Sequence, residues 1–190
     1  MIEISASAIT DPDWLRAQLA ISRRRYQLAD QRALGVLWWY SASSVLLGPA
    51  LSGLDPALSA VTLVLQPDGR VLDARSAPFD GDIAARVRGM LSASIDAVAA
   101  VSGARVRQLW AITTDSLANR LLWAGQTARA ESLAAEIGPE LPRPRYVRVG
   151  GRQFVRRGSC CLIYQATETP KCLSCPRQTP EERHARLASS

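Results

Sequence analysis

The chain of 190 residues has a hydrophobic fraction of 47% and a formal net charge of +6, so it can bury a core without disulfides. Its basic residues, almost all arginine, are interspersed with acids, and no dense basic stripe predicts binding to nucleic acid. The N-terminal segment lacks the basic and apolar regions of a secretory signal, so we expect a cytoplasmic protein.

Helical patterns dominate the first 140 residues. A helix is predicted to begin at Pro12, after a capping residue at position 10 or 11. A longer helix is predicted between an aspartate cap at position 80 or 82 and Gly103, with apolar side chains at helical spacing. The same spacing predicts helices over 104–125 and 128–138. The N-terminal part is therefore expected to be mainly helical.

An uncharged stretch over 33–54 is predicted to form another helix, which breaks near Gly48 and Pro49. The stretch is long enough to span a bilayer. Its proline, glycines and serines instead favour a buried helix in the core of a soluble protein. Weak peripheral contact with a membrane, through Trp38 and Trp39, is the alternative.

Two β-hairpins are predicted. The first covers 61–76, where two strand-like runs flank the turn sequence Pro67-Asp68-Gly69. The second surrounds Gly150-Gly151 and leads directly into a segment that contains every cysteine of the chain. Both hairpins join runs that are close in sequence, so small antiparallel sheets are expected.

The predicted fold class is α+β. We expect a mainly helical domain over 1–143, with the first hairpin inserted into it. A small β and cysteine-loop appendage, expected to bind iron and sulfur, follows over 144–178. A polar tail over 179–190 is expected to be frayed.

The four cysteines are an adjacent pair, Cys160 and Cys161, and a second pair, Cys172 and Cys175, separated by two residues. In a reducing compartment such a group binds metal or does redox chemistry more often than it forms disulfides. Structural zinc usually takes two short chelating loops, and adjacent cysteines fit the two corners of an iron–sulfur cluster better. Iron–sulfur is favoured on chemistry alone, while a non-catalytic binding or sensor module with zinc or iron–sulfur stays open.

The sequence R-G-S-C-C-L-I-Y over 157–164, followed by C-x2-C after a spacer of ten residues, resembles the FhuF family of ferric-siderophore reductases. The resemblance implies reduction of imported iron(III)–siderophore complexes in the cytoplasm, with weak membrane association in some members. We expect the two adjacent cysteines on one iron and the C-x2-C pair on the other. The ligands that the resemblance implies for a [2Fe–2S] cluster are Cys160, Cys161, Cys172 and Cys175.

One-electron reduction is a sufficient chemistry for iron release. Siderophores bind iron(III) through hard, anionic oxygens, and iron(II) is held far less tightly by the same ligands. The sequence contains no G-x-G-x-x-G motif for a dinucleotide. A separate electron donor, such as a ferredoxin or a reductase, is therefore expected.

The helical domain over 1–143 is expected to bind the siderophore, and arginine and aromatic residues on its predicted second helix are candidates for the contact. The more common alternative is that the aromatic side chains, with Trp123, belong to the core. The candidate residues are Arg32, Trp38 and Tyr40.

Three arginines on the strand that leads to the cysteines are expected to raise the midpoint potential of the cluster, because their charge favours the reduced form. If they are exposed, salt should limit the effect to the order of a few tens of millivolts. The alternative is that they are solvated and have no such role. They are Arg152, Arg156 and Arg157.

Overall fold

The computed structural model describes residues 1–166 and 169–190. It is mostly helical with two small antiparallel sheets, which confirms the predicted α+β class. The helices are α1 (Pro12–Tyr26), α2 (Gln31–Leu51), α3 (Ile83–Ser102), α4 (Val106–Trp123), α5 (Ala130–Ile137) and α6 (Pro180–Ala188). The strands are β1 (Ile2–Ser5), β2 (Thr62–Leu65), β3 (Val71–Arg75), β4 (Tyr146–Val149) and β5 (Arg152–Val155).

The ends of α1 and α3 follow from their capping residues. The Asp11 side chain accepts a hydrogen bond of 2.8 Å from the N–H of Asp13, and Asp82 accepts one of 2.9 Å from the N–H of Ala85. Gly103 ends α3 with a φ of +73°, a conformation that costs glycine little. These contacts confirm the caps that the sequence predicts.

The predicted break in α2 is wrong, because the helix continues through Pro49 to Leu51. Pro49 lies in the last turn, so its missing N–H affects a single hydrogen bond close to the helix end. The helix is long and apolar enough to cross a membrane, but 61% of its apolar window is buried within the protein. It packs against α4, α3 and α1, and the side chains of Trp38 and Trp39 lie in this core. Trp123 is instead 72% exposed, contrary to the expectation of a core residue.

The predicted hairpin over 61–76 is confirmed as β2 and β3, and β1 adds a third strand in the order β1-β2-β3. Strand β1 pairs antiparallel with β2, from Ile2 opposite Leu65 to Ser5 opposite Thr62. The second predicted hairpin is confirmed as β4 and β5, joined at Gly150-Gly151. Strand β5 packs on α4, which brings the C-terminal segment against the helical part.

The expectation that the polar C-terminal tail is frayed is wrong, because its residues form α6. The Thr179 hydroxyl accepts from the N–H of Glu182 at 3.1 Å, and the Glu182 carboxylate accepts from the N–H of Thr179 at 3.0 Å. This reciprocal capping box, with Pro180 as the first helical residue, stabilises a short helix. Leu187 is buried and anchors the helix.

Candidate metal centre

The sulfur atoms of the four cysteines lie close together. The Sγ atoms of Cys160 and Cys175 are 3.6 Å apart. The Sγ atoms of Cys161 and Cys172 both face the guanidinium of Arg157, at 3.8 Å and 3.3 Å from Nη1. Three of the thiols are buried and Cys172 is partly exposed. One short segment therefore gathers four sulfurs at a point just below the surface.

Contacts between the sulfurs link all four cysteines. Two thiolates on one tetrahedral metal, at bond lengths of about 2.3 Å, are separated by roughly 3.8 Å. The distance between Cys160 and Cys175 fits that value. Cys161 also contacts Cys160 and Cys172, so the assignment of the adjacent cysteines to one iron stays a prediction. Across residues 1–166 and 169–190, no three histidine, cysteine, aspartate or glutamate side chains are arranged to hold a metal ion. The four sulfurs thus form one group, which supplies the number of thiolates that a cluster of two irons takes.

The adjacent cysteines lie outside any strand and directly precede a residue with an unusual backbone conformation. Neighbouring side chains in a regular strand point to opposite faces. Leu162 has a φ of +64°, a left-handed conformation that non-glycine residues adopt rarely. The turn lets the N–H of Leu162 donate to the Sγ of Cys160 at 3.4 Å. This local strain is typical of a functional site.

A buried aspartate of α4 holds the segment that precedes the cysteines. Asp115 accepts hydrogen bonds from the N–H of Gly158 at 2.9 Å and of Ser159 at 3.2 Å. It also forms an ion pair of 3.4 Å with Arg157, and the two side chains are only 4% and 2% exposed. Because every contact is with a donor, the arrangement fits the ionised carboxylate. Asp115 fixes the position of Arg157 and therefore of the donor that faces two sulfurs.

The charges at the site influence one another's pKa values. Burial raises the pKa of Asp115, and the N–H donors of Gly158 and Arg157 oppose that rise. Burial lowers the pKa of Arg157, but the facing Tyr40, Cys161 and Asp115 outweigh it and raise the pKa overall. Arg157 therefore remains a cation in the protein interior.

The thiols also compete for protons. A hydrogen bond from Cys160 lowers the pKa of Cys161, while hydrogen bonds to Cys161 raise the pKa of Cys160 and of Cys172. Four sulfurs this close cannot all be thiolates without added positive charge between them. The donor set, with its buried cation, fits a site that binds iron.

The residues predicted to contact a siderophore lie in different places. The ring of Tyr40 packs against the guanidinium of Arg157, at 4.7 Å from its centroid, so this residue lies beside the sulfurs. Trp38 is buried against Trp14, with ring centroids 6.1 Å apart, and Arg32 donates to the carbonyl of Gly103 at the surface. In the described part of the chain, no hydrogen bond joins Arg32 or Trp38 to the cysteine segment.

The three arginines predicted to raise the potential of the cluster differ in burial and in contacts. Arg157 is buried and touches the sulfurs. Arg152 is exposed and contacts the Phe154 ring and the carbonyl of Ser190, and Arg156 is exposed at the surface. Only Arg157 is shielded from salt.

Residues after the last cysteine form hydrogen bonds to the cysteine loop. Gln178, which is buried, donates from Nε2 to the carbonyls of Cys172 at 2.7 Å and Leu173 at 3.2 Å. Arg186 of α6 donates to the carbonyl of Lys171 at 2.8 Å. The segment after the last cysteine therefore restrains the loop that carries two of the sulfurs.

We expect Gln178→Ala to accelerate loss of metal from the site. The carbonyls of Cys172 and Leu173 would lose their donor, at a cost of about 1 kcal/mol. The measurement is the rate at which visible absorption bleaches under an iron chelator. Gln165→Ala, at an exposed glutamine of the same segment, is the control, and equal rates for the two variants would contradict this role.

Comparison with known proteins identifies the same segment. Residues 157–177 match the family model of the FhuF 2Fe-2S C-terminal domain, and they include all four cysteines. No curated protein matches the chain. The match confirms the resemblance and the expected cofactor, while ligation by these four residues remains a prediction that their convergence supports. The C-terminal segment is thus an FhuF-like 2Fe-2S domain, and its cofactor is a [2Fe–2S] cluster.

Proposed function

We propose that this protein reduces iron(III)–siderophore complexes by one electron and thereby releases iron(II). The observation that carries the proposal is the convergence of the four sulfurs within the segment that matches the FhuF 2Fe-2S domain. A [2Fe–2S] cluster supplies one electron at a time at low potential. That electron converts iron(III) to iron(II), which the siderophore oxygens hold less tightly.

The surrounding residues suit such an electron transfer. Cys160, Cys161 and Cys175 are buried, whereas Cys172 is partly exposed and Leu173 beside it is 44% exposed. The sulfurs are thus close enough to the surface for exchange with an external partner. The ion pair between Arg157 and Asp115 keeps the site rigid, so little rearrangement accompanies a change of charge.

The partners and the location follow from the same chemistry. We place the reaction in the cytoplasm, where free thiols and clusters remain reduced. The electron comes from a separate donor, a ferredoxin or a reductase. A weak peripheral association with the membrane is part of this proposal, because an imported chelate enters the cell there.

The proposal predicts that dithionite-reduced protein, freed of excess reductant, is reoxidised by a ferric siderophore. Iron(II) should appear in a colorimetric trap. The test uses a panel of hydroxamate, catecholate and mixed ferric chelates under anaerobic conditions. Protein loaded with zinc in place of the cluster is the matched control and should be inert. Failure of the reduced holo-protein to transfer electrons to every chelate in the panel would contradict the proposal.

A further inference from the structure

A cavity lined by arginines borders Arg157, the residue that contacts two of the sulfurs. It has a volume of about 340 Å³ and lies between α4, the segment 142–145 and the residues that precede the cysteines. Ligand-binding pockets begin at roughly 300 Å³, so the cavity can hold a compact chelate or the head of a larger one. Its charged lining residues are Arg107, Asp115, Arg143, Arg145, Arg156 and Arg157.

The positive charge of the cavity is largely uncompensated. Asp115 forms an ion pair with Arg157, and Arg143 forms one of 2.8 Å with Glu131. In the ranges 1–166 and 169–190, no carboxylate forms an ion pair with Arg107, Arg145 or Arg156. Three like charges around one small cavity repel one another, and an anion placed between them would relieve that repulsion.

The cavity and the sulfurs share one residue. Arg157 lines the cavity and also donates toward the sulfurs of Cys161 and Cys172. Its Nη2 is buried and has no hydrogen-bond partner among the described residues. The residue that contacts two of the sulfurs therefore also borders the cavity, and a molecule bound there would lie near the source of the electron.

We propose that this cavity is the substrate site and that it selects anionic ferric chelates, of the catecholate or carboxylate class, over neutral hydroxamate chelates. The inference rests on the proposed function and specifies its substrate. The guanidinium groups bind the anionic oxygens of the chelate. One electron from the reduced cluster converts the bound iron(III) to iron(II), and the chelating ligand keeps its own charge. A larger open groove near Phe79 and Arg86 lacks this clustering of arginines.

Binding is tested without electron transfer by replacing iron(III) with redox-inert gallium(III). The probes are a trianionic gallium tris-catecholate and a neutral gallium tris-hydroxamate, titrated into holo-protein by calorimetry at low and high salt. We expect the anionic probe to bind more tightly and to weaken as salt rises. Arg107→Gln and Arg145→Gln should each weaken it by roughly threefold to fivefold, as for a partly exposed ion pair.

Arg24→Gln, at an exposed arginine of α1, is the charge-matched control and should leave the affinity unchanged. Equal affinity of wild type and both cavity variants for the anionic probe would overturn the proposal. So would variants that slow only reduction by an acidic donor, since the cavity would then serve the donor. If the anionic gallium probe binds in an arginine-dependent way but no ferric chelate is reduced, the cavity assignment stands and the proposed function fails. If chelates are reduced but neither gallium probe binds, the cavity assignment fails and the function stands.

Discussion

Asp115→Ala is expected to destabilise the protein by about 3–5 kcal/mol and to prevent stable cluster assembly. Removing the carboxylate leaves the buried charge of Arg157 without its partner, which is costly in a protein interior. The N–H groups of Gly158 and Ser159 also lose their acceptor. The free energy of unfolding from urea titrations, and the iron and sulfide content after reconstitution, measure the two effects.

Two further variants show whether the effect depends on the buried position of Asp115 and on its pairing with Arg157. Asp96→Ala removes an exposed carboxylate from α3 and should change stability by less than about 0.5 kcal/mol. The double variant Asp115→Leu, Arg157→Met removes both buried charges and should recover the part of the loss that comes from the unpaired charge, because an apolar pair can replace a buried ion pair. The N–H groups of Gly158 and Ser159 still lack their acceptor in this variant, so recovery should be incomplete. If Asp115→Ala unfolded at the same urea concentration as Asp96→Ala, the anchoring role of Asp115 would be refuted.

Arg157→Gln is expected to lower the midpoint potential of the cluster by about 100 mV. The guanidinium lies against two of the sulfurs and favours the reduced form, which carries one more negative charge. At about 6 Å and an effective dielectric constant of about 20, one charge contributes roughly 3 kcal/mol, on the order of 120 mV for one electron. The substitution also leaves the negative charge of Asp115 unpaired, which shifts the potential in the same direction.

The exposed arginines of the same strand are the controls. Arg152→Gln and Arg156→Gln should shift the potential by no more than a few tens of millivolts, on the order expected for screened surface charges. Their shifts should vanish at high salt, whereas that of Arg157→Gln should persist because the side chain is buried. Anaerobic redox titrations followed by visible absorption give all three values. A potential unchanged in Arg157→Gln, with the cluster intact, would rule out tuning by this residue.

Local sequence signals predicted the helical part of the fold well. Where a capping residue and helical spacing coincide, as at Asp11 and Asp82, the helix starts are confirmed. Strand β1 was missed because four residues show no periodicity, and the strand exists only through pairing with β2 about sixty residues later. Helix α6 was missed although its capping box is visible at Thr179 and Glu182, since its polar composition suggested a frayed end.

The sequence predicted the cysteines of the site but not the residues that hold them in place. Four cysteines in one short segment are a strong local signal. Asp115 gives no such signal, because a carboxylate in a helix is usually solvated. Its burial depends on the segment over 157–159, more than forty residues away. The different environments of Arg156 and Arg157 likewise follow from tertiary packing, which sequence spacing does not specify.

The proposed transfer of one electron from the reduced site to a ferric siderophore leaves the cluster intact. The most direct test is the EPR signal of the reduced protein, measured while a ferric chelate is added anaerobically and iron(II) is trapped. We expect the signal to fall by one electron equivalent for each iron(II) formed, while bound iron and sulfide stay constant. A signal that persists in the presence of excess chelate, or iron(II) that comes from the cluster itself, would contradict it.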